Sequence, residues 1–509
     1  MSSTLEHPSG ATLLGQTITV NDTPINAYRG IKYGTIPARF ERAQLAPLEE
    51  FQGREVDATR YGPRCPQVNL DVRHLLRIPE EYSLVTEEED EFECLNLDVT
   101  VPANVSGPLP VLVWIYGGSQ AVTFCSAASG ICDPSRIVAD SVAMGKPIIV
   151  VNMHYRLNIF NFGDGTGTAE TNLALKDQQL AIEWVKKYIS GFGGDPNNIT
   201  LCGESAGAIY VHAHIITGPA VQRAIMMSGS LALSPPLPRE FGKGMLEQLQ
   251  KRAQELEGKP IRECSQAVLK QLLMEFNISR IWLQEEDALR DWQSRPLQTK
   301  ELMLGDTEFE TNIWRRGIED FSPEEIASIF DQEGGDTWGP LLRKLYHILP
   351  SRPTAARLGA QDFVNDARFV LPIEEITEKA LSQGTTVYRY LVDETNPYQS
   401  SSRAHHAVDL LFLFGSVDLS HNPGAEAVGQ EMRTRWIRFA RGEQPWTPLA
   451  QGSGKRFAFG PYGESREIDA VQFSRRRRIR HVGVLRDAGI DVYGGIMTKL
   501  TAGRISLEN

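Results

Sequence analysis

The pentapeptide Gly203-Glu204-Ser205-Ala206-Gly207 constrains this chain more than any other feature. It follows directly on the apolar, strand-like residues 199–202 and precedes residues 208–216, an apolar stretch compatible with a helix. A strand that turns at once into a helix needs a strained turn. Glycines on either side leave room for the Ser205 hydroxyl to project above the sheet edge. With 44 glycines among 509 residues, a Gly-x-Ser-x-Gly pattern arises by chance in roughly one of four such chains. The motif therefore counts through its strand-to-helix context. A serine hydroxyl is a poor nucleophile until a base takes its proton, so this elbow predicts a histidine and an orienting acid downstream.

The surrounding sequence supplies a sheet to carry the elbow. Short apolar runs at 110–116, 147–153, 198–202 and 223–227 read as strands buried on both faces. Between the second and third, Leu173, Leu180, Trp184 and Tyr188 recur at helical spacing until Gly191 stops the pattern. Alternating strands and helices imply an α/β fold around a large, mostly parallel sheet. Residues 235–384 carry helix-period runs with little strand signal, which predicts a helical insertion over the sheet. No long linker interrupts the chain, so 1–509 reads as one catalytic unit. The basic run 475–478 reads as a solvated face or the start of the last element, ahead of an anion-binding role.

Charge and cysteine usage narrow the partner. The formal net charge of −12 argues against nucleic acid or an anionic membrane surface and leaves a small molecule as the expected partner. Apolar runs stop well short of a spanning helix. The opening Met-Ser-Ser-Thr-Leu-Glu-His-Pro lacks the basic start and apolar run of a secretory signal. A cytoplasmic location, or a mature chain already trimmed, is expected. The ending Ile-Ser-Leu-Glu-Asn matches no retention or peroxisomal signal. Six cysteines are too few for a disulfide scaffold, and none has zinc spacing, so neither metal nor cofactor is expected. Oligomeric state is not legible.

A second chemical feature lies upstream, where the strand at 110–116 runs into Gly117-Gly118-Ser119. In a serine-hydrolase reading, the N–H groups of Gly117 and Gly118 join that of Ala206 to hold the oxyanion of a tetrahedral intermediate. The plain alternative is a glycine turn.

These residues, with several others in the same order, carry a resemblance. The motifs are Tyr61-Gly62-Pro63-Arg64-Cys65-Pro66-Gln67, Glu93-Cys94-Leu95-Asn96-Leu97-Asp98-Val99, Trp114-Ile115-Tyr116-Gly117-Gly118 and Tyr155-Arg156-Leu157. Asp177-Gln178, Phe192-Gly193-Gly194-Asp195-Pro196, the Ser205 elbow and Met227-Ser228-Gly229-Ser230 follow. Over residues 29–446 the chain resembles the type-B carboxylesterase and cholinesterase-like family of α/β hydrolases. The resemblance implies the α/β-hydrolase fold and a Ser-Glu-His triad. Its acid lies five residues after a strand-end glycine, which selects Glu310 after Gly305, with Asp306 and Glu308 nearby. Its base lies nine residues before a Phe-Gly end, with an acid three residues on. His406, Asp409, Phe414 and Gly415 fit, leaving adjacent His405 solvent-facing or beside the site.

Departures from the family pattern are specific. Tyr116 stands where the family usually has His, Ser119 where it has a third Gly, and Thr311 where Gly usually follows the acid. Ser119 is expected to tighten the oxyanion hole or add a hydroxyl donor, and Ser228 either to support the triad from behind or to serve only the strand-end turn. No Trp lies between Cys65 and Cys94, which disfavours a choline ester. The resemblance implies a Cys65–Cys94 disulfide in secreted members, whereas a reducing cytosol would leave thiols.

The function that follows is a serine carboxylic-ester hydrolase acting through an acyl-enzyme on a neutral ester, small or bulky. Two alternatives use the same residues. Water exclusion would make the enzyme an acyltransferase or lactone-forming enzyme, and loss of catalysis would leave a cholinesterase-like binding protein.

Overall fold

The computed structural model describes residues 1–104, 107–163, 170–450 and 454–502. The five C-terminal residues read above for targeting signals lie outside them. The strands are β1 (Ser2–Glu6), β2 (Thr12–Val20), β3 (Thr23–Lys32), β4 (Gly34–Thr35), β5 (Gln44–Leu45), β6 (Glu55–Asp57) and β7 (Asn96–Pro102). Then come β8 (Leu109–Ile115), β9 (Ile149–Met153), β10 (Gly194–Glu204), β11 (Arg223–Met227), β12 (Glu301–Thr307), β13 (Thr386–Val392), β14 (Arg456–Phe459) and β15 (Ser465–Ile468). One 13-stranded sheet runs β1-β2-β3-β7-β9-β8-β10-β11-β12-β13-β14-β15, with β6 beside β2. The stretch from β9 to β14 is parallel, and antiparallel strands extend it at both ends.

Every residue of β7, β8 and β9 is buried. Strands apolar at successive positions need cover on both faces, and helices between parallel strands provide it. The helix Leu173–Tyr188 buries Leu173, Trp184 and Tyr188, residues that the helical spacing selects. The result is the α/β-hydrolase architecture expected from the sequence.

Two expectations change. The range 235–384 is not one insertion, because β12 lies within it and pairs with β11 and β13 in the sheet. The helices Glu240–Glu257 and Gln266–Glu275 precede β12, while Pro323–Leu345, Pro353–Asn365 and Leu371–Ser382 follow it. Helix-period sequence borders the strand on both sides, so periodicity hides it, although the family spacing already puts a strand end at Gly305.

The basic run is the second correction. Arg477 is 1% exposed and pairs with Asp306 at 2.9 Å and Asp393 at 2.8 Å. Arg389 meets the same Asp306 at 3.0 Å, and Arg478 holds both oxygens of Asp366 at 2.8 Å. Burial pushes the Asp306 carboxyl up, but the guanidinium groups of Arg389 and Arg477 outweigh it and hold it below the usual carboxylate range. Buried charges persist only when paired this closely. The run therefore fastens the C-terminal helices to the end of β12, just before Glu310. Charge patterning reads such a run as solvated because its acidic partners lie far away in sequence.

Candidate active site

The elbow forms as its spacing requires. Ser205 sits between β10 and the helix Ala206–Thr217 with φ 55° and ψ −118°, a sparsely populated conformation that costs about 1–3 kcal/mol. Its N–H donates to Met227 O at 2.9 Å, and its carbonyl accepts from Ile209 N at 3.1 Å. A Cβ on Gly207 would stand 2.0 Å from Ile115 O, and one on Gly203 would stand 2.5 Å from the Gly207 carbonyl carbon. Both glycines are therefore demanded by close backbone approach.

Three elements bring Ser205, His406 and Glu310 together. Ser205 Oγ lies 2.9 Å from His406 Nε2, and His406 Nδ1 lies 2.6 Å from Glu310 Oε2. Glu310 is fully buried, accepts from Thr307 N through Oε1 at 2.6 Å, and donates its own N–H to Asn365 Oδ1 at 2.8 Å. Thr311 is also fully buried, and its hydroxyl donates to Gln361 O at 2.8 Å. The threonine that stands in place of Gly is thus accommodated in the interior beside Glu310.

The competing residues are occupied elsewhere. Asp306 is taken by Arg389 and Arg477, and Glu308 pairs with Arg403. His405 is not solvent-facing: it is fully buried, with Nε2 2.9 Å from Asn396 Nδ2 and Nδ1 2.8 Å from His406 O. Burial pushes its imidazole down to about 4, so it stays neutral near pH 7.

Sequence reasoning overlooked Glu204. This residue is 1% exposed, and its Oε1 lies 3.3 Å from His406 Nε2. Burial pushes Glu204 up, as it does Asp409, which also feels the Glu310 charge. Burial alone would lower His406, but Glu204, the Glu310 hydrogen bond and Asp409 together raise it. A variable position inside a motif carries no pattern signal. Only folding reveals that this side chain turns under the imidazole.

A pH prediction follows. Protonated His406 cannot accept a proton, so activity falls as pH drops through its raised pKa, above the ordinary histidine value of about 6.5. Glu204→Gln removes a charge that favours the imidazolium. The acid limb of kcat/KM should move to lower pH by about one unit, measured on a single ester across pH 5–9. An unmoved or raised limb would rule out this role for Glu204.

The upstream glycines adjoin the serine. A Cβ on Gly117 would meet Ser205 Cβ at 3.1 Å, and Gly118 adopts φ +113° with a would-be Cβ 2.0 Å from Val122 O. The carbonyls of Gly117 and Gly118 accept from Phe124 N at 3.2 Å and Val122 N at 3.0 Å. Among the described residues no protein acceptor takes the N–H of Gly118 or Ala206. Ala206 opens its helix, where the first N–H groups have no intrahelical partner. Tyr116 stacks on Tyr155 at 4.4 Å, away from the cavity lining. Ser119 lines the cavity beside Ser205. Ser228 Oγ is buried without a hydrogen-bond partner, so no hydrogen bond links it to the three residues.

The cavity that Ser205 opens into measures about 780 Å³. Its walls are mainly apolar, from Leu233, Phe241, Trp282, Trp314 and Ile490 among others. Trp282 and Trp314 supply aromatic faces from segments other than the 65–94 loop. The final helix, Ile490–Leu500, forms one wall through Gly494 and Met497. Its spacing is helical, but only tertiary packing brings it to the serine.

All six cysteines are buried free thiols. Cys65 and Cys94 face each other unbridged, and the hydrogen bond between the thiols, with burial, pushes Cys94 well up. The disulfide expected of secreted members is thus not formed. Intact mass after alkylation of the unfolded chain without reductant should rise by six alkyl groups. A smaller gain would reveal bridges.

Comparison with known proteins places this geometry in context. The carboxylesterase family matches residues 2–477. Lipase 3 of Yarrowia lipolytica is 31% identical over 465 residues, 87% of this chain and 89% of the lipase. Para-nitrobenzyl esterase of Bacillus subtilis is 27% identical over 479 residues, covering 87% of this chain and 91% of the esterase. A shorter match, 36% over 214 residues and 40% of this chain, is to the inactive carboxylesterase-like protein VdtD of Byssochlamys spectabilis. An elbow serine on a mostly parallel sheet, a match along nearly the whole chain and full-length lipase and esterase relatives agree: the chain belongs to the carboxylesterase family of ester-hydrolysing enzymes.

Proposed function

We propose that this enzyme cleaves carboxylic esters through an acyl-enzyme on Ser205. His406 takes the hydroxyl proton as Ser205 Oγ attacks the ester carbonyl, then hands it to the departing alcohol. Glu310 orients the imidazole and stabilises its protonated form. The N–H groups of Gly117, Gly118 and Ala206 hold the developing oxyanion. Water then enters by the same route, with His406 as base, and frees the acid. The observation that carries this reading is the continuous Ser205–His406–Glu310 contact, at 2.9 and 2.6 Å, opening into the cavity. The esterase and lipase names of the full-length relatives support it.

The unbridged thiols suit a reducing compartment, so a cytoplasmic location belongs to the same proposal, and cell fractionation tests it.

A fluorophosphonate probe tests the nucleophile, since only an activated hydroxyl beside oxyanion donors reacts quickly. Labelling should map to Ser205 alone and disappear in Ser205→Ala. Undiminished labelling of that variant would reassign the nucleophile. Running p-nitrophenyl esters with and without competing alcohols separates hydrolysis from acyl transfer: the acid is the expected product in both.

A further inference from the structure

The catalytic cavity has a charge pattern that a neutral ester does not explain. Among the described residues, its lining contains two charged side chains, Arg280 and Arg368, and no acid. No carboxylate of the described residues pairs with either. The deeply buried arginines behave differently: Arg156, Arg389, Arg433 and Arg477 each hold an aspartate at 3.0 Å or less. In a chain with 64 acidic residues against 52 basic ones, the lack of a partner at the cavity among the described residues is not a shortage of acids.

Arg368 is held in place without being neutralised. Its guanidinium lies over the Trp314 ring, 4.6 Å from the centroid. Its Nε is buried with no acceptor, and its Nη1 has only a long 3.5 Å contact with Thr501 Oγ1. Arg368 as a whole is half-buried, but a buried Nε donor left unfilled is costly, and a bound anion satisfies the planar fork. Burial and the nearby Arg280 charge lower the Arg368 guanidinium to about 10, the repulsion that an anion between them would relieve. The cavity end is also close to the chemistry. Trp314 packs on Phe369 at 6.0 Å, and Phe369 packs on the His406 imidazole at 5.6 Å.

We propose that the ester bound here carries a carboxylate at a distance from the scissile bond, and that this carboxylate docks on Arg368 and Arg280. This rests on the reading of Ser205 as the nucleophile. The apolar walls take the body of the substrate, the arginines its charged end, and Ser205 the ester carbonyl. The two arginines also repel a quaternary ammonium, a stronger argument against choline esters than the missing Trp of the 65–94 loop.

The test compares two esters of eight-carbon suberic acid, one with its far carboxyl free and one with it methylated. Calorimetric titration of Ser205→Ala with monomethyl suberate and with dimethyl suberate should show the monoester binding at least about tenfold tighter. Adding Arg368→Met should abolish that preference, and Arg368→Lys should restore part of it. Arg280→Met, at an exposed position, should reduce the preference and covers the case in which Arg368→Met fails to fold. Equal or weaker binding of the monoester, or a preference that survives both methionine substitutions, overturns the proposal. Turnover by the unmodified enzyme of p-nitrophenyl hydrogen suberate against its methyl ester separates the two readings. Hydrolysis of both at equal kcat/KM defeats the carboxylate site and leaves the nucleophile standing. A binding preference without hydrolysis of either ester defeats the nucleophile and leaves the anion site.

Discussion

Replacing His406 by alanine should lower kcat by at least about 10³, equivalent to about 4 kcal/mol of lost transition-state stabilisation. The imidazole is the only group 2.9 Å from Ser205 Oγ that also reaches Glu310, at 2.6 Å, among the described residues. His405→Ala is the control. That side chain joins Asn396 to the His406 backbone, so its loss should lower thermal stability while changing kcat by less than about tenfold. Glu310→Gln should fall between the two, since it orients and stabilises the imidazolium without carrying the proton. Steady-state kinetics alongside thermal melts measure both effects. A dead His405→Ala with a mild His406→Ala would mean that the base has been misassigned.

Gly118→Ala should lower kcat by about 10² to 10³ with a smaller change in KM, the effect of displacing one oxyanion donor. At φ +113° and with a Cβ 2.0 Å from Val122 O, even alanine forces the turn to shift. Valine would disturb the fold as well as the donor, so alanine is the cleaner probe. Circular dichroism should remain native-like, because the strain is confined to the loop after β8. Full activity in a folded variant would move the oxyanion hole elsewhere.

Local pattern carried much of this molecule. Strands expected at 110–116, 147–153 and 223–227 appear at Leu109–Ile115, Ile149–Met153 and Arg223–Met227, and the helix after Leu173 ends at Tyr188. Such elements declare themselves because burial on both faces or on one helical stripe leaves a period in the sequence. The elbow declares itself because close backbone contact tolerates only glycine at 203 and 207. The selection of Glu310 and His406 came from family spacing, since a carboxylate and an imidazole about a hundred residues apart share no local pattern.

Tertiary structure decided what distance in sequence conceals. Arg475 to Arg478 look alike as a run. Folding buries Arg477 between Asp306 and Asp393, while Arg368 lies at the cavity beside Trp314 with no acid paired to it among the described residues. The carboxyl of Glu204 beside His406 and the final helix that walls the cavity are both fixed by contacts between remote segments. A residue's type states which interactions it can make. Whether a guanidinium is paired, or an imidazole's pKa raised, depends on the charges and solvent that the completed fold places around it.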